Sequence, residues 1–224
     1  MKKQITISLF LLISTILADS FTLSAIATPT IALSLTQPTN IAAEPPALSK
    51  VVLTLQDLPP GFIDISDRME GLKKQFTEVS GLDAEGLFAF QKSDNKPIQL
   101  IIGFAMQLPT EIEQSSFDTS IREGVFAQEI LKSLNRTESQ FSDLTSLPLA
   151  DNIGDVSGGW KTTGNVRNRP TRIDAAIFRR GNLGAFLISF YVEGDSPSIA
   201  IADAARKLDN RMVELIQPPQ NQPQ

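Results

Sequence analysis

The sequence predicts one α+β domain, in which a mostly antiparallel sheet carries helices on both faces as an α/β/α sandwich. Strand-like segments occur in hairpin runs, and helix-like segments lie between the runs, which is typical of antiparallel sheets. Residues 98–108 are almost continuously apolar, and a strand of that kind is covered on both faces. The chain has 224 residues, 42% of them hydrophobic, so it can form a sizeable core without disulfides.

The first 27 residues have the parts of a cleaved secretory signal peptide. Lys2 and Lys3 form a positive start, residues 5–17 form an apolar run, and an A-x-A arrangement ends at Ala27. We expect cleavage near Ala27 and export to the periplasm, the cell envelope or the thylakoid lumen. The alternative is an uncleaved anchor, although a membrane span needs about 20 apolar residues.

Changes in composition set the remaining boundaries. Residues 28–49 carry four prolines and no sustained periodicity, which predicts a flexible linker. Residues 217–224 read QPPQNQPQ, and a tail of this composition is expected to be disordered. The single domain is therefore expected at residues 50–216.

The domain opens with the segment LTLQDLPPGF at residues 53–62. Its two prolines fix the backbone, and Gly61 permits the turn that they force. Asp57 stands just before this corner, where an aspartate typically accepts hydrogen bonds from nearby backbone N–H groups. We therefore expect a rigid corner and not a ligand site. A short strand over residues 62–66 and a helix over residues 68–81 are predicted to follow.

The middle of the chain predicts a hairpin, a helix and a strand. Residues 87–92 and 98–108 are rich in apolar side chains and are separated by the turn-forming stretch SDNKP. Apolar residues at spacings of three and four predict one helix over residues 116–135. A strand is expected around Trp160.

Two further strands and a terminal helix complete the predicted domain. Residues 171–180 and 183–194 are the strands, and the turn between them contains Gly181 and Asn182, which accept positive φ at low cost. The last helix is expected to begin with Ser196 as its N-cap and Pro197 in its first position. Its apolar stripe, which would face the sheet, comprises Ile201, Ala204, Ala205, Leu208, Met212 and Leu215.

The composition excludes several catalytic mechanisms. The chain has no His and no Cys, which rules out a Ser–His–Asp triad, a thiol nucleophile, a zinc site with nitrogen or sulfur ligands, and haem ligation by those residues. We predict no catalytic residue, no metal site and no cofactor. The acidic stretches DISDRME and DNIGDVSGG are interpreted as helix caps and turns. A pair of catalytic carboxylates stays open, because the two acids of a glycosidase need not be adjacent in sequence.

The best candidate binding region is rich in arginine. The predicted ligand-binding residues are Trp160, Arg167, Arg169 and Arg172. Guanidinium groups suit carboxylate and phosphate, and a tryptophan ring adds a flat contact surface. Arg179 and Arg180 follow on the same predicted hairpin. The alternative is a solvent-facing hairpin whose charges pair with acids such as Asp174 and Glu193.

Several stretches together resemble one group of bacterial exported domains. They are the opening LTLQDLPPGF, the long apolar strand, the segment RIDAAIFRRGNLGAFLISFYVEGDS and the Ala-rich terminal helix. The group includes LpqN-like lipoproteins of the mycobacterial cell wall and the extracellular sensor domain of a receptor kinase. The wider architecture is similar to the PsbP-like α/β/α sandwich, whose photosynthetic members are exported accessory proteins. The resemblance implies no catalytic residue, and because this chain lacks cysteine, neither a lipid anchor nor disulfides carry over.

The sequence thus favours an exported, non-enzymatic binding or accessory module that recognises a protein partner or a small anionic ligand in the cell envelope. A net charge of −5 argues against nonspecific nucleic-acid binding. One alternative is a carboxylate-based hydrolase acting on envelope material. Another is a structural accessory subunit, peripherally associated with a membrane complex such as a photosynthetic one.

Overall fold

The computed structural model describes residues 48–69, 86–92, 98–108, 110–135, 139–149 and 151–216. In these ranges the strands are β1 Phe62–Asp64, β2 Phe88–Lys92, β3 Gln99–Gln107, β4 Gln140–Phe141, β5 Thr145–Ser146, β6 Val156–Val166, β7 Arg169–Arg180 and β8 Leu183–Val192. The α-helices are α1 Glu111–Arg122, α2 Val125–Leu134 and α3 Ile201–Ile216. None of these helices has the length and apolar character needed to cross a membrane.

The eight described strands form one antiparallel sheet, which confirms the predicted α+β class. Their order is β1-β2-β3-β8-β7-β6-β4, and β5 also pairs with β6. The longest interior strands run in register over most of their length, with Phe104 opposite Phe186 and Ala175 opposite Ile188. Residues opposite each other in an antiparallel pair point to the same face. The register therefore shows which side chains share a face.

Helices α1 and α2 cover one face of this sheet. Phe117 of α1 and Phe126 of α2 contact the ring of Phe186 edge-on, at centroid distances of 5.7 and 5.0 Å. Phe104 stacks on Phe186 at 4.7 Å, so β3 and β8 meet both helices through one aromatic cluster. Such pairs each contribute about 0.5–1.5 kcal/mol beyond the area that they bury.

Helix α3 and the segment before β1 cover the opposite face. Leu208 and Met212 of α3 are fully buried, in the same cluster as Val51 and Leu53. The predicted apolar stripe of the last helix is confirmed, with only Leu215 left partly exposed. Strand β3 contributes alternate residues to the two cores, so the prediction that both its faces are covered is also confirmed.

The predicted helix over residues 116–135 is wrong in its extent. It is two helices, and the first begins at Glu111, where Thr110 and Glu113 form a capping box: the Thr110 hydroxyl accepts from the Glu113 N–H, and the Glu113 carboxylate accepts from the Thr110 N–H. Gly124 breaks the run with φ of +65°, which ends α1 and turns the chain into α2. The helix predicted over residues 68–81 lies almost entirely outside the described residues; Ser66–Met69 form a 3₁₀ turn.

The last helix begins at Ile201, so the predictions of Ser196 as its N-cap and Pro197 as its first residue are wrong. The buried side chain of Gln99 on β3 explains the later start. Its Nε2 donates to the Ile199 carbonyl at 2.9 Å, and its Oε1 accepts from the Ile199 N–H at 3.2 Å. Both backbone groups of Ile199 are therefore bound to the sheet before the helix starts.

Candidate functional site

The structure separates Trp160 from the predicted arginines. Trp160 lies in the middle of β6, opposite Ala175, and packs half-buried against the core under α1 and α2. Arg167 lies at the β6–β7 turn, seven residues later, or about 23 Å along an extended strand. A cavity of about 10 Å³ beside Trp160 is lined mainly by apolar side chains and is too small for a ligand. Trp160 is therefore a packing residue of the core between the sheet and helices α1 and α2.

The arginines of the hairpin also point in different directions. Arg167 and Asn168 have φ of +48° and +61° and form a tight two-residue turn. Arg169 lies opposite Val166, on the face covered by α1 and α2, whereas Arg172 lies opposite Thr163, on the face of α3. The hairpin consequently does not present its arginines as one patch.

Arg172 is engaged with a buried acid. Its Nε donates to Asp174 Oδ1 at 2.8 Å, and the Tyr191 hydroxyl donates to Asp174 Oδ2 at 2.7 Å. The guanidinium also lies 5.7 Å from the centre of the Tyr191 ring. The hydrogen bond with Asp174 raises the pKa of Arg172, and burial together with the same carboxylate raises the pKa of Tyr191 far above its ordinary value. Arg172 thus neutralises Asp174, as the alternative interpretation of the hairpin expects.

Arg179 and Arg180 are engaged in the same way. Arg179 binds Asp118 of α1 through two hydrogen bonds, at 2.6 and 2.8 Å. Arg180 binds Asp209 of α3 through two, at 2.9 and 2.6 Å. Asp155 lies between them and contacts both guanidinium groups at 3.2 and 3.1 Å. These two arginines hold the layers together and are not available to a ligand.

The corner at Asp57 has the predicted structure and an additional contact. Asp57 Oδ2 accepts from the Thr54 N–H at 2.7 Å, which confirms its role in binding nearby backbone. The same oxygen accepts from Arg211 Nη2 of α3 at 2.7 Å, a partner 154 residues away that the sequence could not indicate. Partial burial alone would raise the pKa of Asp57, but the hydrogen bonds from Thr54 and Arg211 hold it below its ordinary value. The corner is thereby fixed to α3.

An open groove of about 800 Å³ runs between this corner and α3, and we call it the α3 groove. Its lining residues are Gln56, Asp57, Leu58, Pro59, Pro197, Ser198, Ile199, Ala200, Asp203, Arg206, Lys207 and Asn210. Ligand sites typically have volumes of about 300–1,000 Å³. The groove therefore has the size of a binding site, and its lining combines apolar and charged side chains.

The cations of the α3 groove differ from the other arginines near the sheet. Arg206 and Lys207 are exposed, and no hydrogen bond or ion pair engages either side chain in the described part of the chain. The Ser198 hydroxyl lines the same groove, is buried at its oxygen, and has no hydrogen-bond partner among the described residues. The exposed side chains of Arg206 and Lys207 can therefore bind an acceptor group without first breaking an existing contact.

The sequence indicates one wall of this groove, the polar face of α3, but not the other. Asp203, Arg206, Lys207 and Asn210 follow the spacing i, i+3, i+4, i+7, which places them on one polar face of a helix. Nothing in the sequence indicated that this face lies beside the Asp57 corner. Only the packing of α3 against the sheet brings residues separated by about 150 positions to the two walls of one groove.

Acid–base chemistry is not favoured by the carboxylates of the groove. Asp57 and Asp203 are its two acidic lining residues. A general acid needs a pKa raised towards neutrality, whereas the pKa of Asp57 is lowered. Among the described residues, no three acidic side chains form a group that could hold a metal ion.

The relationship to exported lipoproteins and PsbP-like domains stays a prediction. Comparison of the chain with protein-family models, with curated proteins and with solved structures finds no match.

Proposed function

We propose that this chain is an exported, non-enzymatic binding or accessory module and that the α3 groove is where it recognises an anionic group of a protein partner or a small ligand. The observation that carries the proposal is the pair Arg206 and Lys207, which line a concave surface and have no counterion among the described residues. Charge-assisted hydrogen bonds to a carboxylate or phosphate are about twice as strong as neutral ones.

The rigidity of the groove supports a binding role. The Asp57–Arg211 ion pair fixes one wall, and Gln99 fixes Ile199 on the other. A preformed site binds more tightly because less conformational entropy is lost on association. Export rests on the signal-like residues 1–27, and no cofactor is part of the proposal.

The hydrolase alternative receives no support from this groove, because hydrogen bonds from Thr54 and Arg211 lower the pKa of Asp57, whereas a proton donor needs a raised one. An accessory role in a membrane complex is compatible with the same groove, whose partner would then be a subunit of that complex. Retention of the protein on washed membranes through Arg206 and Lys207 would distinguish this role from binding of a free ligand.

The test is affinity capture from the native envelope fraction, with the captured proteins and small molecules identified by mass spectrometry. The variant Arg206→Gln/Lys207→Gln is expected to lose the specific partner. The matched control, Arg122→Gln/Lys132→Gln, removes two exposed charges from α1 and α2 on the opposite face and should retain it. Equal capture by all three proteins would show that the groove is not the site.

A second variant tests the hairpin separately. Arg167→Ser/Arg169→Ser changes the exposed turn residues and leaves Arg172 in place, because loss of Arg172 would leave the buried Asp174 without its ion pair and confound binding with unfolding. If this variant alone abolished capture, the binding site would belong to the hairpin and not to the α3 groove.

A further inference from the structure

We infer that the ligand of the α3 groove is an extended peptide segment of a partner protein that carries a carboxylate, and not a small inorganic anion. This inference rests on the proposed function and specifies its ligand. Three properties of the groove support it: its length, the mixture of donors and acceptors on its rim, and its apolar floor.

The length of the groove fits a short stretch of extended chain. Its helical wall runs over the eight residues of α3 from Asp203 to Asn210, whose ends are about 10.5 Å apart at a rise of about 1.5 Å per residue. An extended peptide advances about 3.3 Å per residue, so about three residues lie alongside this wall. A single phosphate would occupy only a small part of the volume of about 800 Å³.

The rim offers acceptors as well as donors. The side-chain amides of Gln56 and Asn210 are exposed and make no hydrogen bond among the described residues, and each carries an acceptor oxygen beside its N–H groups. Asp203 adds a carboxylate on the same wall. Inorganic phosphate mainly accepts hydrogen bonds from Gln56, Asn210, Arg206 and Lys207, because at neutral pH it carries few O–H donors of its own. A peptide backbone can also donate its N–H groups to the amide oxygens and to Asp203.

The floor of the groove is apolar and rigid. Pro59 lies on one wall and Pro197 on the other, with Leu58, Ile199 and Ala200 between the polar positions. Prolines have fixed φ, so their surfaces are presented with little loss of entropy. An apolar floor favours the aliphatic parts of peptide side chains and contributes nothing to binding a bare anion. The cations Arg206 and Lys207 then select a segment that carries a carboxylate.

The experiment uses nuclear magnetic resonance on the purified protein with three probes. Two are libraries of N-acetylated tetrapeptide amides with random residues other than Asp and Glu in the first three positions and either Glu or Gln in the last. The third is inorganic phosphate. We expect the Glu library to shift the backbone amides of residues 56–58, 198–200 and 203–210, at concentrations at least tenfold below those needed for the Gln library.

Variants and salt localise the effect. Arg206→Gln/Lys207→Gln should weaken binding of the Glu library about tenfold, and the control Arg122→Gln/Lys132→Gln should leave it unchanged. The shifts should diminish between about 0.01 and 1 M salt, because the screening length falls from about 30 to about 3 Å.

The possible outcomes separate the two proposals. Phosphate shifts at these amides without any response to the Glu library would overturn the peptide inference and leave the proposed function standing. Equal responses to the Glu and Gln libraries would overturn the requirement for a carboxylate. Shifts that appear on raising the protein concentration alone would make a second copy of the chain the occupant, and so would overturn the partner peptide. No response to any probe would overturn both proposals.

Discussion

Arg180 of β7 and Asp209 of α3 are joined by two hydrogen bonds, from Nε to Oδ1 at 2.9 Å and from Nη2 to Oδ2 at 2.6 Å. The preceding residue, Arg179, binds Asp118 of α1 through two equivalent bonds. Neighbouring residues of a strand point to opposite faces of a sheet. One dipeptide therefore ties the two helical layers to the same end of β7.

Replacement of Asp209 by Ala should lower the free energy of unfolding by about 2–3 kcal/mol, measured by urea denaturation. This lies at or below the low end of the range of about 3–5 kcal/mol for breaking a buried ion pair, because the Arg180 side chain stays 25% exposed and keeps its contact with Asp155. The double variant Arg180→Ala/Asp209→Ala should lose less than the sum of the two single variants. Glu214→Ala, at an exposed position of the same helix, is the control and should change stability by less than about 0.5 kcal/mol. A loss for Asp209→Ala no larger than that of the control would contradict the role of the pair.

The chain has one tyrosine, Tyr191, so its alkaline titration can be followed without interference. Burial, and then the hydrogen bond to Asp174, raise the pKa of Tyr191. The native state thus keeps this proton above about pH 10, where the unfolded state loses it, and the stabilisation declines as the pH rises. Tyrosinate absorbance should appear together with unfolding and not before it.

Tyr191→Phe provides the comparison for this titration. It removes the group, so the part of the alkaline loss of stability that Tyr191 causes should disappear. The fluorescence of Trp160, the only tryptophan, reports whether the protein is still folded. Tyrosinate formed near pH 10 in a protein with native Trp160 fluorescence would refute the prediction.

Local sequence patterns determine most of the fold, so most of the strands and helices could be predicted from the sequence. The continuous apolar run of β3, the alternation of Ile173 and Asp174 in β7, and the stripe of α3 each identify an element and its buried face. The ends of the helices were less predictable, because the hydrophobic periodicity does not show the contacts and backbone angles that set them. The start of α3 depends on Gln99, about a hundred residues earlier, and periodicity alone does not register the single positive φ at Gly124.

The candidate site was less predictable than the fold for a physical reason. Clustering of arginines in sequence says nothing about which of them meet an acid in space. Arg172 and Arg180 find buried aspartates, whereas Arg206 and Lys207, inconspicuous in the sequence, have none among the described residues. The groove forms where the packing of α3 and the Asp57–Arg211 pair bring two distant segments together.

Gly124 separates α1 from α2, and Gly124→Ala should destabilise the protein by about 1 kcal/mol, since a side chain at its φ of +65° is strained. A Cβ there would lie 3.5 Å from Trp160 Nε1, an ordinary contact, so the cost comes from the backbone and Trp160 fluorescence should not change. Gly124→Asn is the control, because asparagine tolerates this conformation, and it should lose less. Urea denaturation measures the free energy of unfolding of both variants. Equal losses of stability for Gly124→Ala and Gly124→Asn would argue against backbone strain.

Asp57 should make the stability of the protein depend on acid pH. Partial burial pushes its pKa up, but the hydrogen bonds from Thr54 and the ion pair with Arg211 lower it. A carboxyl whose folded pKa is depressed stabilises the fold fully above its unfolded pKa, about 3.9, and the stabilisation is lost as the pH falls through the folded value. Asp57→Asn should therefore lower the free energy of unfolding by about 2 kcal/mol at neutral pH, as loss of a charged hydrogen-bonding group does.

The difference between Asp57→Asn and the wild type should begin to shrink below about pH 4, where the unfolded state takes up a proton at Asp57, and should disappear once the pH falls below the lowered pKa of the folded state. Urea denaturation at neutral pH and at about pH 3 measures it. Arg211→Met should show a smaller pH dependence, because Thr54 still binds the Asp57 carboxylate when Arg211 is lost. If the difference caused by Asp57→Asn were the same at both pH values, the carboxylate charge would have no part in holding the corner to α3. The rigidity of that wall of the α3 groove would then need another cause.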